Sequence, residues 1–192
     1  SRILGLQYFM NDIDDTTIAS RSRKHLVYNT IPFLACFLTF LISLLFANGW
    51  AVDPTTGVIS VEPFKYLHNL LAIPVIAAML LVGVLAVLWG IGTGIFKGSR
   101  KSIWFSGGGV VLTVLSLLLL AGFNNTAYYP SLSDMQSSLT IYNSSSSLFT
   151  LEAMSIVSIF IPFVVAYIWY SWRAMNRKPI TRQEIESDDH LY

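Results

Sequence analysis

The side chains of this 192-residue chain that could do chemistry are few, and they are scattered. His25 and His68 stand at the starts of two apolar runs, and His190 lies in a polar tail. Haem or metal ligation would need such residues to converge, as a His pair at i, i+4 or with cysteine partners. No such spacing exists here, and the topology derived below puts His25 and His68 on opposite sides of a membrane. Cys36 is the single cysteine, buried in an apolar run where it reads as a small packing residue and has no disulfide partner in the chain. Glu152 is the one carboxylate inside an apolar run. It reads as a first-turn carboxylate favoured by the helix dipole, against the sharper alternative of a proton relay or quinone-contacting acid. Ser144–Ser147 have no neighbouring histidine to act as base. Gly90-Ile91-Gly92-Thr93-Gly94 lacks the Lys-Ser/Thr and preceding strand of a phosphate loop, so it reads as a close-packing surface.

The elements that position these residues follow from composition. Hydrophobic residues make up 54% and charged residues 12%, where a soluble domain carries about 25% charged residues. Mean hydropathy is +0.59. Most of the surface must therefore face something other than water. A net charge of +1 supplies no basic excess for phosphate neutralisation, which removes nucleic acid as a partner.

A bilayer core needs about 20 apolar residues of helix, and four segments meet that length: 26–48, 67–96, 103–123 and 149–172. The expected fold is an all-α polytopic membrane bundle. Residues 1–25 would be the end of a preceding helix plus a link, 26–173 the four-span bundle, and 174–192 a tail with a capping box at Thr181. No signal peptide is visible. Pro32, Pro74 and Pro162 fall within spans, where neighbouring groups can re-satisfy freed carbonyls, so kinks are expected rather than ends. Arg21, Arg23 and Lys24, then Lys97, Arg100 and Lys101, then Arg173, Arg177, Lys178 and Arg182 flank alternate ends of the spans. Loops 49–66 and 124–148 hold only Lys65. Cytoplasmic loops carry the Lys/Arg excess, so both termini are expected inside and these two loops outside. Trp50, Tyr66, Trp104, Tyr128, Tyr167 and Trp172 crowd the span ends, as interfacial aromatic residues do.

Within this frame the outer loop and last span become recognisable. Tyr129-Pro130-Ser131-Leu132, Ser138-Leu139-Thr140-Ile141, Asn143-Ser144-Ser145-Ser146, Thr150-Leu151 and Met154 follow in order. The ending adds Ile180-Thr181, Glu184-Ile185-Glu186 and His190-Leu191-Tyr192, and the beginning adds Leu6-Gln7-Tyr8 and Arg21-Ser22-Arg23. Together they resemble subunit II of the cytochrome bd quinol oxidases, across essentially the whole chain but only the C-terminal half of that family's length. The resemblance implies a haem-poor subunit packed against subunit I in a bacterial inner membrane. Subunit I would hold haem b and haem d, and the complex would oxidise quinol, reduce oxygen and build a proton gradient. The acidic residues implicated in proton delivery belong to the family's N-terminal half and have no counterpart here. Pro130, Ser131, Ser138, Leu139, Thr140 and Ser145 are the motif-loop residues that could meet subunit I. Tyr142-Asn143 stands where a Trp-Asp pair is common, and Glu152 where a neutral residue is usual.

Two functions of different class follow. One is an accessory subunit without catalytic groups or cofactor ligands of its own, with room for a quinone or lipid crevice. The other is half of a permease, hinted at by Pro74 and the glycines beside it, although coupling ions would need midplane ligands that the spans lack.

Overall fold

The computed structural model describes residues 1–175; the expected capping box at Thr181 and His190 lie outside them. Four helices are long and apolar enough to cross a membrane. In chain order the helices are α1 (Arg2–Asp12), α2 (Thr16–Leu45), α3 (Lys65–Ala72), α4 (Pro74–Lys97), α5 (Ser102–Gly122), a short α6 (Ile141–Ser144), α7 (Leu148–Ser158) and α8 (Ile161–Met175). Strands β1 (Gly49–Val52) and β2 (Ile59–Glu62) lie between α2 and α3. The first span is a single helix that runs through Pro32 without ending. It starts ten residues earlier than the apolar run, because Asp15 caps it by accepting from the amides of Thr17 and Ile18.

Pro74 starts a helix after a non-helical residue, Ile73, which corrects the expectation of a kink there. Pro74 is the first residue of α4, so the segment expected as one span over 67–96 is a short α3 followed by a full α4. At N1 the missing N–H costs nothing, and the fixed φ starts a helix well. Pro162 is the second residue of α8, just past a tightened turn at Ile159–Phe160 that keeps Ile159 helical, so the fourth span is kinked there as expected. Here α7 and α8 together make the fourth apolar span.

The core is a seam between α4 and α5, which run antiparallel. Gly83 lies against Thr113 and Gly109, Gly109 against Val87, and Gly90 against Ser106 and Ser102. A Cβ on Gly83 would stand 2.8 Å from the Thr113 amide nitrogen, and one on Gly109 2.7 Å from that of Val87. The approach is therefore backbone to backbone, which only small residues permit. Gly92, Gly107 and Gly108 are different: nothing lies within 4 Å of a Cβ built on them. Close packing therefore holds for only part of the expected glycine set. Two hydroxyls in the seam bond along their own helix: Thr113 donates to Gly109 O at 2.8 Å and Ser116 to Leu112 O at 2.7 Å.

The α4–α5 turn is closed by Gly98, which takes φ 59°, and by Arg23 reaching from α2. Arg23 donates to Phe96 O at 2.9 Å and also to Ile95 O, so α2 caps the last carbonyls of α4. Arg100 pairs with Asp14 at the same end.

Candidate functional site

The polar side chains that the fold buries gather in two places, and each is built by segments far apart in sequence. The first is inside the bundle. Gln7 on α1 is fully buried and donates from Nε2 to the Ser106 hydroxyl on α5 at 2.9 Å. Its Oε1 has no hydrogen-bond partner, and neither has the buried hydroxyl of Ser102, one turn away on α5. Ser102, Ser106, Gly109, Thr113, Ser116 and Leu120 form the buried stripe of α5. Their spacing of three and four places them all on the face that meets α4 and α1.

The second is a polar cap over the opposite end from Arg23 and Lys97. The loops expected to be plain connections hold a hairpin, with Gly49 opposite Glu62 and Val52 opposite Ile59. Its turn is tied by Asp53, whose carboxylate accepts from the Thr55 amide at 2.8 Å and from the hydroxyls of Thr55 and Thr56. Those donors favour the charged form and hold the Asp53 carboxyl at about 2. Residues after α5 continue the sheet: Val52 N–H donates to Asn125 O at 2.7 Å, and Ala127 N–H to Trp50 O at 2.9 Å. Gln136 extends it with a side chain, accepting from Ile59 N at 2.9 Å and donating to Ile59 O at 2.8 Å.

Asn69 is the hub of this cap. It is fully buried on α3 and donates to Leu120 O at 3.1 Å and to the Thr126 hydroxyl at 2.8 Å, while its Oδ1 accepts from Asn124 at 3.0 Å. Beside it, Glu62 accepts from Lys65 at 2.9 Å and from His68 Nδ1 at 2.8 Å. The His68 hydrogen bond, then that of Lys65, hold the Glu62 carboxyl below its usual range despite some burial. Lys65 is itself buried, with Gly49 seated on its stem.

The motif-loop residues are partly assembled. Ser138 is fully buried and accepts from the Ser131 amide at 3.0 Å while donating to Met135 O at 2.7 Å. Leu139 pairs its backbone with Tyr129, next to Pro130. Thr140 is buried and caps α6 in a reciprocal box with Asn143. Asn143 also donates to Ser138 O at 2.9 Å, so the uncharged residue at this position closes the loop on itself. Ser145 is exposed and donates back to Ile141 O. Glu152 is not with them. It lies in the second turn of α7, exposed and without a hydrogen-bond partner, which corrects the expected first-turn placement. His25 is exposed on α2, and about 30 Å of helix separates it from the cap that holds His68. Among the described residues no group of three His, Cys, Asp or Glu could hold a metal ion.

Reading residues alone missed Gln7, Asn69, Gln136 and the role of Ser102 and Ser106. The signal for the serines was present as small and polar residues at every third or fourth position of α5. Asn69 carried only a weak one, a lone amide in an apolar run.

Four apolar spans, interior amides that tie helices together and a hydrogen-bonded cap define a multi-pass membrane protein of the helix-bundle class. The family description "cytochrome bd terminal oxidase subunit II" matches residues 1–175, and the chain belongs to that family. A search of curated proteins finds no match.

Proposed function

We propose that this chain is a scaffold in a bd-type quinol:oxygen oxidoreductase, packed against a haem-bearing subunit I. Family membership over residues 1–175 puts it in an oxidase complex of the respiratory chain. The observation that carries the scaffold role is where its buried polar groups go. Gln7 through its Nε2, Asn69 and Thr126 are spent on bonds between segments of this chain, and Ser138 and Thr140 on bonds that close the loop they sit in. Haem b and haem d then belong to subunit I, with quinol oxidation, oxygen reduction and proton-gradient formation. His25 and His68 are too far apart to share a metal, and neither sits in a cluster of metal-ligating side chains. The basic end of the bundle, with Arg21, Lys24, Lys97 and Lys101, faces the cytoplasm of a bacterial inner membrane, with both termini inside.

The test is a reduced-minus-oxidised optical spectrum of the complex purified from native membranes through a tag after Tyr192. Bands of b- and d-type haem are expected; a colourless preparation with partners intact overturns the oxidase reading. A reporter after Tyr192 should read cytoplasmic and one near Thr56 external, and the reverse pair overturns the orientation.

The permease reading keeps one observation in its favour. The fourth span is kinked at Ile159–Phe160, at membrane depth since 11 and 15 residues flank it, and transporters place helix irregularities at that depth. A colourless complex would put that reading first.

A further inference from the structure

One face of α4 turns away from every other described element and forms an open apolar groove of about 770 Å³. Val82, Leu85 and Trp89 line one stretch, and Thr93 and Phe96 the next, with a notch between them at Gly92. The notch is real space, because nothing lies within 4 Å of a Cβ built on Gly92. From Val82 to Lys97 the groove runs about 22 Å, more than the ~15 Å depth of one hydrocarbon leaflet. It is apolar along its length and ends at an exposed cation, Lys97.

Lys97 is not needed to cap its own helix. The carbonyls of Ile95 and Phe96 are taken by Arg23, which lines a separate crevice with Asp14 and Asp15. Among the described residues, the carboxylates at this end, Asp14 and Asp15, share a crevice with Arg23 and Arg100. Asp14 is paired with Arg100, and Asp15 caps α2. Lys97 thus stands at one end of an apolar trough, where the helix C-terminus offers only about half a negative charge in return.

We propose that this groove seats an anionic phospholipid, with one acyl chain over Gly92 between Trp89 and Phe96 and the headgroup phosphate on Lys97. A second transmembrane helix fits less well, since an apolar helix placed along the groove would meet Lys97 without an anion of its own. The inference rests on the chain being embedded in a membrane and is independent of the oxidase reading, so a colourless complex would leave it standing.

The test is native mass spectrometry of the intact complex taken from nanodiscs of phosphatidylcholine, with and without phosphatidylglycerol. Wild type should retain phosphatidylglycerol in preference to phosphatidylcholine. Lys97→Gln should reduce that preference about five-fold, the worth of one cation near an anionic headgroup. Gly92→Leu should fill the notch and lose retained lipid of either kind, while assembling normally because it points out of the bundle. Unchanged retention in both variants would overturn the proposal. So would a photoreactive residue at Leu85 that crosslinks to a polypeptide instead of to lipid.

Discussion

Gln7 and Ser106 meet at 2.9 Å inside the apolar bundle, 99 positions apart, with one end of the amide bonded and the other unpartnered. The two residues should therefore not be equivalent to mutation. Ser106→Ala strands the whole amide in a buried site and should cost about 1–3 kcal/mol. Gln7→Met removes the bond and the orphaned oxygen together, so it should stay within about 1 kcal/mol of wild type. Thermal unfolding of the detergent-purified complex checks the order, and a larger loss for Gln7→Met would mean that the bond is worth more than the orphan costs.

The glycines of α4 make a matched pair. A Cβ at Gly90 would stand 2.6 Å from the Ser106 amide nitrogen and 2.8 Å from Ser102 O, which are backbone atoms that cannot move aside. Gly90→Ala should force α4 and α5 apart and cost about 1–3 kcal/mol, as overpacking does. Gly92→Ala meets open space and should be neutral or stabilising by up to about 1 kcal/mol through helix propensity. The readout is the yield of assembled complex on size exclusion, with equal yields refuting the seam.

Glu62 gives the cap a pH dependence of predictable sign. Its carboxyl is held below the ordinary 4.5 by His68 and Lys65, so its contribution is complete above that value. The contribution is lost as pH falls through the lowered folded value. Glu62→Gln should speed amide exchange in β1 and β2 at neutral pH. The difference from wild type should shrink to nothing below the carboxylate range, and a gap that persists in acid would assign the effect to packing.

Asn69→Leu keeps the volume but strands the Asn124 amide and removes a donor from the Thr126 hydroxyl and Leu120 O. A loss of about 2–4 kcal/mol is expected. Hydrogen exchange should rise together at residues 65–72 and 120–127, because one side chain joins them.

What could be read before the fold depended on whether a property was periodic or relational. Span three was legible to within one residue, since Ser102–Gly122 is a continuous apolar helix between a basic link and Asn124-Asn125. Span four was legible to within two residues, but the start of span two was not, because hydropathy runs smoothly across Ile73 while Pro74 restarts the helix. The hairpin was invisible for a different reason. Half of what holds Val52 and Ile59 comes from Asn125 and Gln136, more than 70 residues later, and no local pattern reports such a partner. The candidate site fared likewise: the motif loop was seen as a motif, but the burial of Ser138 against Ser131 follows only from the turn between them.

The position of Asn69 also sets an order of events during synthesis. Its donors and acceptors on Leu120, Asn124 and Thr126 emerge 51 to 57 residues after it. At about 5–20 residues per second, the 51-residue wait alone lasts roughly 3–10 s. Throughout that interval α3 carries an amide that no earlier segment can satisfy, so it must remain in water and cannot follow α4 into the lipid. The cap can therefore close only once α5 has crossed, and a nascent chain halted between α4 and α5 should expose position 69 to a membrane-impermeant label that the finished protein, which buries it, excludes.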